Sequence, residues 1–256
     1  MSRPRYGMVK SLTDQGDWLF RFRGQAPIPI LLVIVGIGLA LGPRPSGPFQ
    51  TEPWEAIGLL LGFLGMAVRA AAIGYAAPGT SGGNTQQQIA ESLNTTGLYS
   101  IVRHPLYLGN FIMWVGVGTY ACSWPCAVIA SLSFALLYER IIIAEERFLQ
   151  GKFGERFVEW TAGTPLFVPD FSQWVAPTAP LSIKRILRRE YSTLQSFLVS
   201  IIVVELAQNI RWGHGAMPDP AWAALPVAGL LACLALRTLK KQSGLLDLND
   251  SSGANG

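Results

Sequence analysis

Side chains able to do chemistry crowd one stretch of this sequence, Arg103-His104-Pro105-Leu106-Tyr107-Leu108-Gly109-Asn110. Pro105 suits the first turn of a helix, where a backbone donor has no partner to lose. From a helix beginning there, Arg103, His104, Tyr107 and Asn110 stand at spacings that let several of them reach one pocket. A helix start also offers unpaired N–H groups and the positive end of the dipole, which suit a carboxylate or a phosphate. The plainer reading is an interfacial anchor, with Arg and Tyr at headgroup level. A second cluster closes the run after next: Tyr138-Glu139-Arg140, then Ala144-Glu145-Glu146-Arg147. Glu139 and Glu146, seven apart, share a helix face. Adjacent Glu145 and Glu146 point in different directions, so at most one of the twin acids is expected to face an interior.

Other features are more ambiguous. Gly116-Val117-Gly118 removes side chains where a ligand or a neighbouring helix comes close. Gly58 and Gly62 read as helix packing. Arg69, near the end of an apolar run, either snorkels to the surface or meets an acidic headgroup. Asn84 belongs to Thr80-Ser81-Gly82-Gly83-Asn84-Thr85, a polar glycine-rich loop that suits a lid or headgroup site, or plain solvation. Glu205 is expected to pair or to reach the interface near Arg211, and His214 receives no role. The three cysteines, Cys122, Cys126 and Cys233, have no metal or disulfide spacing and read as small apolar fillers.

The elements that must position these groups are membrane helices. Of 256 residues, 50% are hydrophobic and 14% charged, against roughly a quarter charged in soluble domains. That balance excludes a disordered chain, a nucleic-acid-binding domain and a disulfide scaffold. Apolar runs cover about 26–42, 54–77, 106–121, 125–143, 194–210 and 222–236. Several fall short of the roughly 20 residues a straight crossing needs. The expectation is an all-α transmembrane bundle of about six helices. Ser123-Trp124-Pro125 turns the third run back on the fourth. Lys and Arg concentrate before residue 25, after Ile143 and in the tail, and so place both termini in the cytoplasm. No cleavable signal peptide is evident. The apolar spacing of Phe148, Leu149, Phe153, Phe157 and Trp160 predicts a roof helix over 145–160. Thr164-Pro165 and Val168-Pro169 end it. The organisation expected is an N-terminal arm (1–25), N-terminal membrane helices and loop (26–95), a core (96–170), C-terminal membrane helices (171–248) and a disordered tail (249–256).

The ordered set Thr96-Gly97-Leu98-Tyr99, Arg103–Gly109, Glu145–Leu149, Lys152-Phe153-Gly154 and Val168-Pro169 resembles the integral-membrane methyltransferases. These include the isoprenylcysteine carboxyl methyltransferases and the phospholipid methyltransferases. The likeness covers about 75 residues, and Gly116-Val117-Gly118 is similar to the phospholipid methyltransferase element that precedes the twin acids. It implies S-adenosylmethionine as methyl donor and a lipid-like acceptor that arrives sideways from the bilayer. It also implies a donor site lined by Arg103, His104, Tyr107, Gly109, Gly116 and Gly118, closed by Glu145 or Glu146. Phe157-Val158-Glu159-Trp160 departs from the family's Tyr-x-x-Tyr, and the last two apolar runs have no counterpart in the likeness.

The donor's ammonium, sulfonium and carboxylate suit Glu146, the face of Tyr107, and Arg103 or the helix start, respectively. Arg103, His104 and Glu146 are the catalytic candidates, with His104 or a Glu taking a proton where the acceptor is an amine. Arg69, Asn84 and Asn110 are the candidates for the acceptor, whose headgroup is a phosphate, an amine or a carboxylate. No metal and no nucleic acid are expected. Two competing readings are a membrane sterol or steroid reductase using NADPH, which shares a similar Arg-His-Pro-x-Tyr-x-Gly, and a non-catalytic transport or scaffold protein.

Overall fold

Proline opens four of the helices, at Pro27, Pro53, Pro105 and Pro220. Its fixed φ suits a first turn and its missing N–H costs nothing there. The computed structural model describes residues 5–25, 27–41, 53–77, 80, 90–121, 124–212 and 220–242. Among these the regular structure is helical, with no strand: α1 (Arg5–Arg21), α2 (Pro27–Leu41), α3 (Pro53–Gly74), α4 (Leu98–Ile101), α5 (Pro105–Tyr120), α6 (Trp124–Phe153), α7 (Glu155–Gly163), α8 (Ile183–Trp212) and α9 (Pro220–Gln242). A single 3₁₀ turn spans Phe171–Gln173.

Each of the six apolar runs lies in a helix, so the all-α membrane bundle stands. Three of the helices, α3, α6 and α8, are long and apolar enough to cross a membrane. The apolar parts of α2 and α9 are shorter, Ile28–Ala40 and Pro226–Leu239, and α5 has 16 residues. Length therefore supports three crossings, not the six expected.

Glycine sets how closely the helices approach. A Cβ on Gly58 would stand 2.6 Å from Tyr120 N, and one on Gly65 would stand 2.5 Å from Gly109 O. The backbones of α3 and α5 thus touch along their length, as small residues allow where lipid supplies no hydrophobic drive. Gly62 seats the Phe197 ring of α8. One core gathers Ile34, Tyr120, Cys126, Phe197 and Val204 from α2, α5, α6 and α8. A second joins Phe20 of α1 to Phe134, Tyr138 and Ile141 of α6.

Three elements go beyond expectation or differ from it. Most of the N-terminal arm is helix α1, packed on α6: Gly16 lies against the Arg140 backbone, and Gln15 accepts from Arg140 Nε at 3.1 Å. The roof helix over 145–160 is not one helix. Residues 145–153 continue α6, and Gly154 (φ 55°) breaks the path before α7. Its N–H caps Gln150 O at 2.9 Å. That left-handed conformation favours glycine and commonly ends a helix. The fifth run also lengthens into a 30-residue α8 that includes the basic stretch before it.

Candidate active site

The site begins with how the start of α5 is held. Gly97 (φ 62°) lets the chain turn into α4. Val102 then runs extended and His104 caps α5, its carbonyl accepting from Tyr107 and Leu108 N–H at 3.1 and 3.0 Å. The segment after α7 wraps this start. Arg103 N donates to Pro165 O (2.9 Å), Asp170 N to Ile101 O (2.9 Å) and Gly97 N to Val175 O (2.8 Å). Trp160 Nε1 donates to Tyr99 O at 3.2 Å. Bonds from Ser172 and Gln173 hold the Asp170 carboxyl below its usual range. The prolines after α7, read from sequence only as helix breakers, therefore belong to the wall that fixes the motif.

Packing of α6 along α5 brings the twin acids back to that start. Arg103 Nη1 donates to Glu146 Oε1 at 2.8 Å. The same oxygen lies 3.1 Å from His104 Nε2, while His104 Nδ1 is 3.8 Å from Glu145 Oε2. Both acids thus approach one buried imidazole, where the sequence suggested that at most one would face inward. They still differ in what they front. Glu145 lines a cavity and Glu146 stands behind its wall. His104 stacks on Tyr107 with ring centroids 5.5 Å apart. Two buried polar atoms here, Arg103 Nε and Glu145 Oε2, have no hydrogen-bond partner.

The cavity holds about 1140 Å³, above the roughly 300–1,000 Å³ of a typical small-molecule pocket. Tyr99, Arg103, His104, Tyr107, Glu145 and Trp160 line its polar end. Burial and the charge of Glu145 push the Tyr99 phenol well above its ordinary range. Farther along α5 the wall becomes Met113 and Val117, joined by Ile28 and Leu31 of α2 and Phe197 of α8. At 1.5 Å per residue, Val117 lies roughly 18 Å from Pro105 along the axis. The chamber is therefore polar where the motif sits and apolar at bundle depth.

Between the two ends lies a belt that sequence reasoning found only in part. Arg69 donates Nε to Glu190 Oε2 (2.8 Å) and Nη2 to Glu190 Oε1 (2.6 Å). It also donates to Thr193 Oγ1 (3.2 Å), Asn110 Oδ1 (2.7 Å) and Leu106 O (3.4 Å). All five guanidinium donors have protein acceptors, so Arg69 is held as a partly buried structural cation and not offered bare to a headgroup. Asn110 Nδ2 passes the chain on to the Tyr138 hydroxyl at 3.0 Å. Arg69, Asn110, Tyr138 and Glu190 all line the cavity.

The candidate glycines do not. A Cβ on Gly109 would meet Arg69 Cγ at 2.5 Å, one on Gly116 would meet Gly58 O at 2.7 Å, and one on Gly118 would meet Cys126 O at 2.9 Å. They stand outside the cavity wall and serve helix packing, which corrects their expected place at the donor. Asn84 lies outside the described residues. Of its loop, Thr80 is described: it receives Asn94 Nδ2 at 2.7 Å and lines the chamber with Asn94. Glu205 accepts from the Tyr120 hydroxyl at 2.9 Å, which is the pairing expected of it. Among the described residues no cluster of three His, Cys, Asp or Glu converges as metal ligands. Tyr138 had a signal in the sequence, seven residues before Glu145 on one helix face. Glu190 had none, being an acid inside a basic run.

Comparisons with known proteins agree with the resemblance. Residues 53–156 match the phospholipid methyltransferase family model. The nickel-cobalt-cadmium resistance protein NccN of Alcaligenes xylosoxydans xylosoxydans is 37% identical over 123 residues, 47% of this chain and 57% of that protein. The cobalt-zinc-cadmium resistance protein CzcN of Cupriavidus metallidurans is 41% identical over 81 residues, 32% of this chain and 37% of that protein. The protein-S-isoprenylcysteine O-methyltransferase B of Arabidopsis thaliana is 38% identical over 81 residues, 30% of this chain and 39% of that protein. The chain thus spans about half or less of the length of these curated relatives. No solved structure matches it. The family match favours methyl transfer over the reductase and transport readings. The part of the chain that is similar to the phospholipid methyltransferase family is residues 53–156, which supply both halves of the His104–Glu146 contact.

Proposed function

We propose that this protein is an integral-membrane methyltransferase that uses S-adenosylmethionine and methylates a membrane-embedded lipid or isoprenoid-type acceptor. The observation that carries the reading is the meeting of Arg103, His104, Glu145 and Glu146 at a chamber with one polar and one apolar end. The reading also places the protein as a multi-pass membrane protein with both termini and the polar end of the chamber on the cytoplasmic side.

The polar end fits the donor. A buried carboxylate oxygen of Glu145 and a buried N–H of Arg103 are both without partners. They are complementary to the ammonium and the carboxylate of an amino-acid-like ligand. The start of α5 adds dipole toward the carboxylate, and the faces of Tyr107, Tyr99 and Trp160 suit a sulfonium and an adenine. S-adenosylmethionine, when bound, supplies an electrophilic methyl group on sulfur. Glu146 holds Arg103 and His104 in place from behind, as a positioning residue. His104 is the group set to accept a proton where the acceptor is an amine. A carboxylate or phosphate acceptor is already anionic and leaves the protein only orientation and desolvation to supply, worth roughly 7–11 kcal/mol in favourable cases. Asn110, held by Arg69, faces the acceptor's headgroup, and the walls from α2 and α8 take its chain.

The test is transfer of labelled methyl from the donor into total lipids by the purified protein, with calorimetry of donor binding alongside. Label in a lipid fraction, lost in His104→Ala, is the expected result. No donor binding and no labelled lipid overturn the reading.

A further inference from the structure

The belt across the chamber fixes the direction of a hydrogen bond that no motif encodes. Arginine has five donors and no acceptor. Arg69, gripped by both Glu190 oxygens, therefore obliges Asn110 to present Oδ1 to it at 2.7 Å. The Asn110 amide is thereby oriented with Nδ2 toward Tyr138, 3.0 Å from the hydroxyl. That amide nitrogen can only donate, so the Tyr138 oxygen accepts and its own hydrogen is left over. Among the described residues no acceptor takes that hydrogen. Tyr138 is 4% exposed and lines the chamber. A buried hydroxyl that must donate and has no protein acceptor points to a ligand atom bearing lone pairs.

We infer that Tyr138 is the headgroup-binding donor for the acceptor, and that the Glu190–Arg69–Asn110 relay sets it to select an oxyanion, a carboxylate or a phosphate, over a protonated amine. The inference rests on the methyl-transfer reading for the acceptor's role and deepens it by naming the headgroup. A protonated amine brings only donors and leaves the Tyr138 hydrogen without an acceptor. An oxyanion accepts the hydrogen while its chain lies along Met113, Val117 and Phe197. Glu190 sits on α8, outside the family match at 53–156, whereas Arg69, Asn110 and Tyr138 lie within it, so the relay is anchored from a part of the chain that the family match does not cover.

The experiment titrates the purified full chain in non-ionic detergent with dodecanoate, dodecyl phosphate and dodecylamine at pH 7, followed by tryptophan fluorescence. The parent is expected to bind at least one of the two oxyanions about tenfold more tightly than the amine. The stronger of the two identifies the headgroup as carboxylate or phosphate. Tyr138→Phe should abolish that preference. Asn110→Asp should do the same with Tyr138 intact, because an aspartate oxygen takes the hydroxyl's hydrogen away from the chamber. Combining the two should lose nothing further. Equal binding of amine and oxyanion by the parent, an unchanged preference in Tyr138→Phe, or additive losses in the double variant overturn the inference. Calorimetry with S-adenosylmethionine separates this from the function itself: Tyr138→Phe should bind the donor as the parent does. A parent that binds no donor sinks the methyl-transfer reading, while the amphiphile series still decides what Tyr138 does.

Discussion

His104 and Glu146, 42 residues apart in the chain, meet at 3.1 Å because α6 packs back along α5. The same Glu146 oxygen receives Arg103 at 2.8 Å, so one carboxylate contacts two residues of the motif. Glu146→Ala is expected to leave Arg103 without its counter-charge and His104 without its neighbour, and to weaken S-adenosylmethionine binding roughly tenfold, since a charged hydrogen bond contributes about 1.5–3 kcal/mol. Calorimetry checks it. Parent-like affinity in Glu146→Ala would remove its positioning role.

Glu145 should behave in the opposite way. Its buried Oε2 has no hydrogen-bond partner, so the folded protein loses little when its charge goes. Glu145→Gln is expected to keep or raise the unfolding temperature while lowering donor affinity by about tenfold. A thermal melt with and without donor reads both quantities. A drop in stability together with unchanged affinity would make Glu145 structural.

Arg69 and Glu190 form a buried bidentate pair. Removing one partner strands the other charge inside the bundle and costs about 3–5 kcal/mol, whereas replacing both with apolar residues of similar volume costs far less. Arg69→Met and Glu190→Met should each lower the unfolding temperature markedly, and the double variant should recover much of the loss. Additive losses in this cycle would show that the pair is not coupled.

The glycines of α5 give a clean separation of packing from binding. Gly116→Ala drives a methyl toward Gly58 O at 2.7 Å and Gly62 N at 2.8 Å, both backbone atoms that cannot move aside. A cost of about 1–3 kcal/mol is expected, with donor affinity of the surviving folded protein unchanged. Gly154→Ala meets nothing within 4 Å and carries only the strain of φ 55°, about 1 kcal/mol. Differential scanning measurements of the two variants order them.

Much of the site was legible because its parts lie on one short hairpin. Once Pro105 starts α5 and the chain turns before Trp124, helix rise alone brings residues near 145 to the level of residue 104. Glycine was less legible, because the same absence of a side chain serves a ligand or a helix, and only the neighbour decides. At Gly116 that neighbour is the backbone of α3, 58 residues upstream at Gly58. Glu190 was not legible at all, because nothing local in its basic run marks a partner 121 positions away. The roof was misread for a related reason. The apolar stripe continues through Gly154, and periodicity carries no information about a backbone turn at one residue.

The chamber's wall has two origins. Most of its polar end, with Met113 and Val117, comes from the matched stretch, whereas α1, α2 and α8 add Phe20, Leu31 and Phe197 from beyond it. Proteins alike over that stretch alone can therefore share its polar groups and differ in the apolar wall that the flanking helices add. On the methyl-transfer reading, grafting those apolar wall residues between such proteins would change which acceptor chains fit and leave the headgroup contact at Tyr138 as it was.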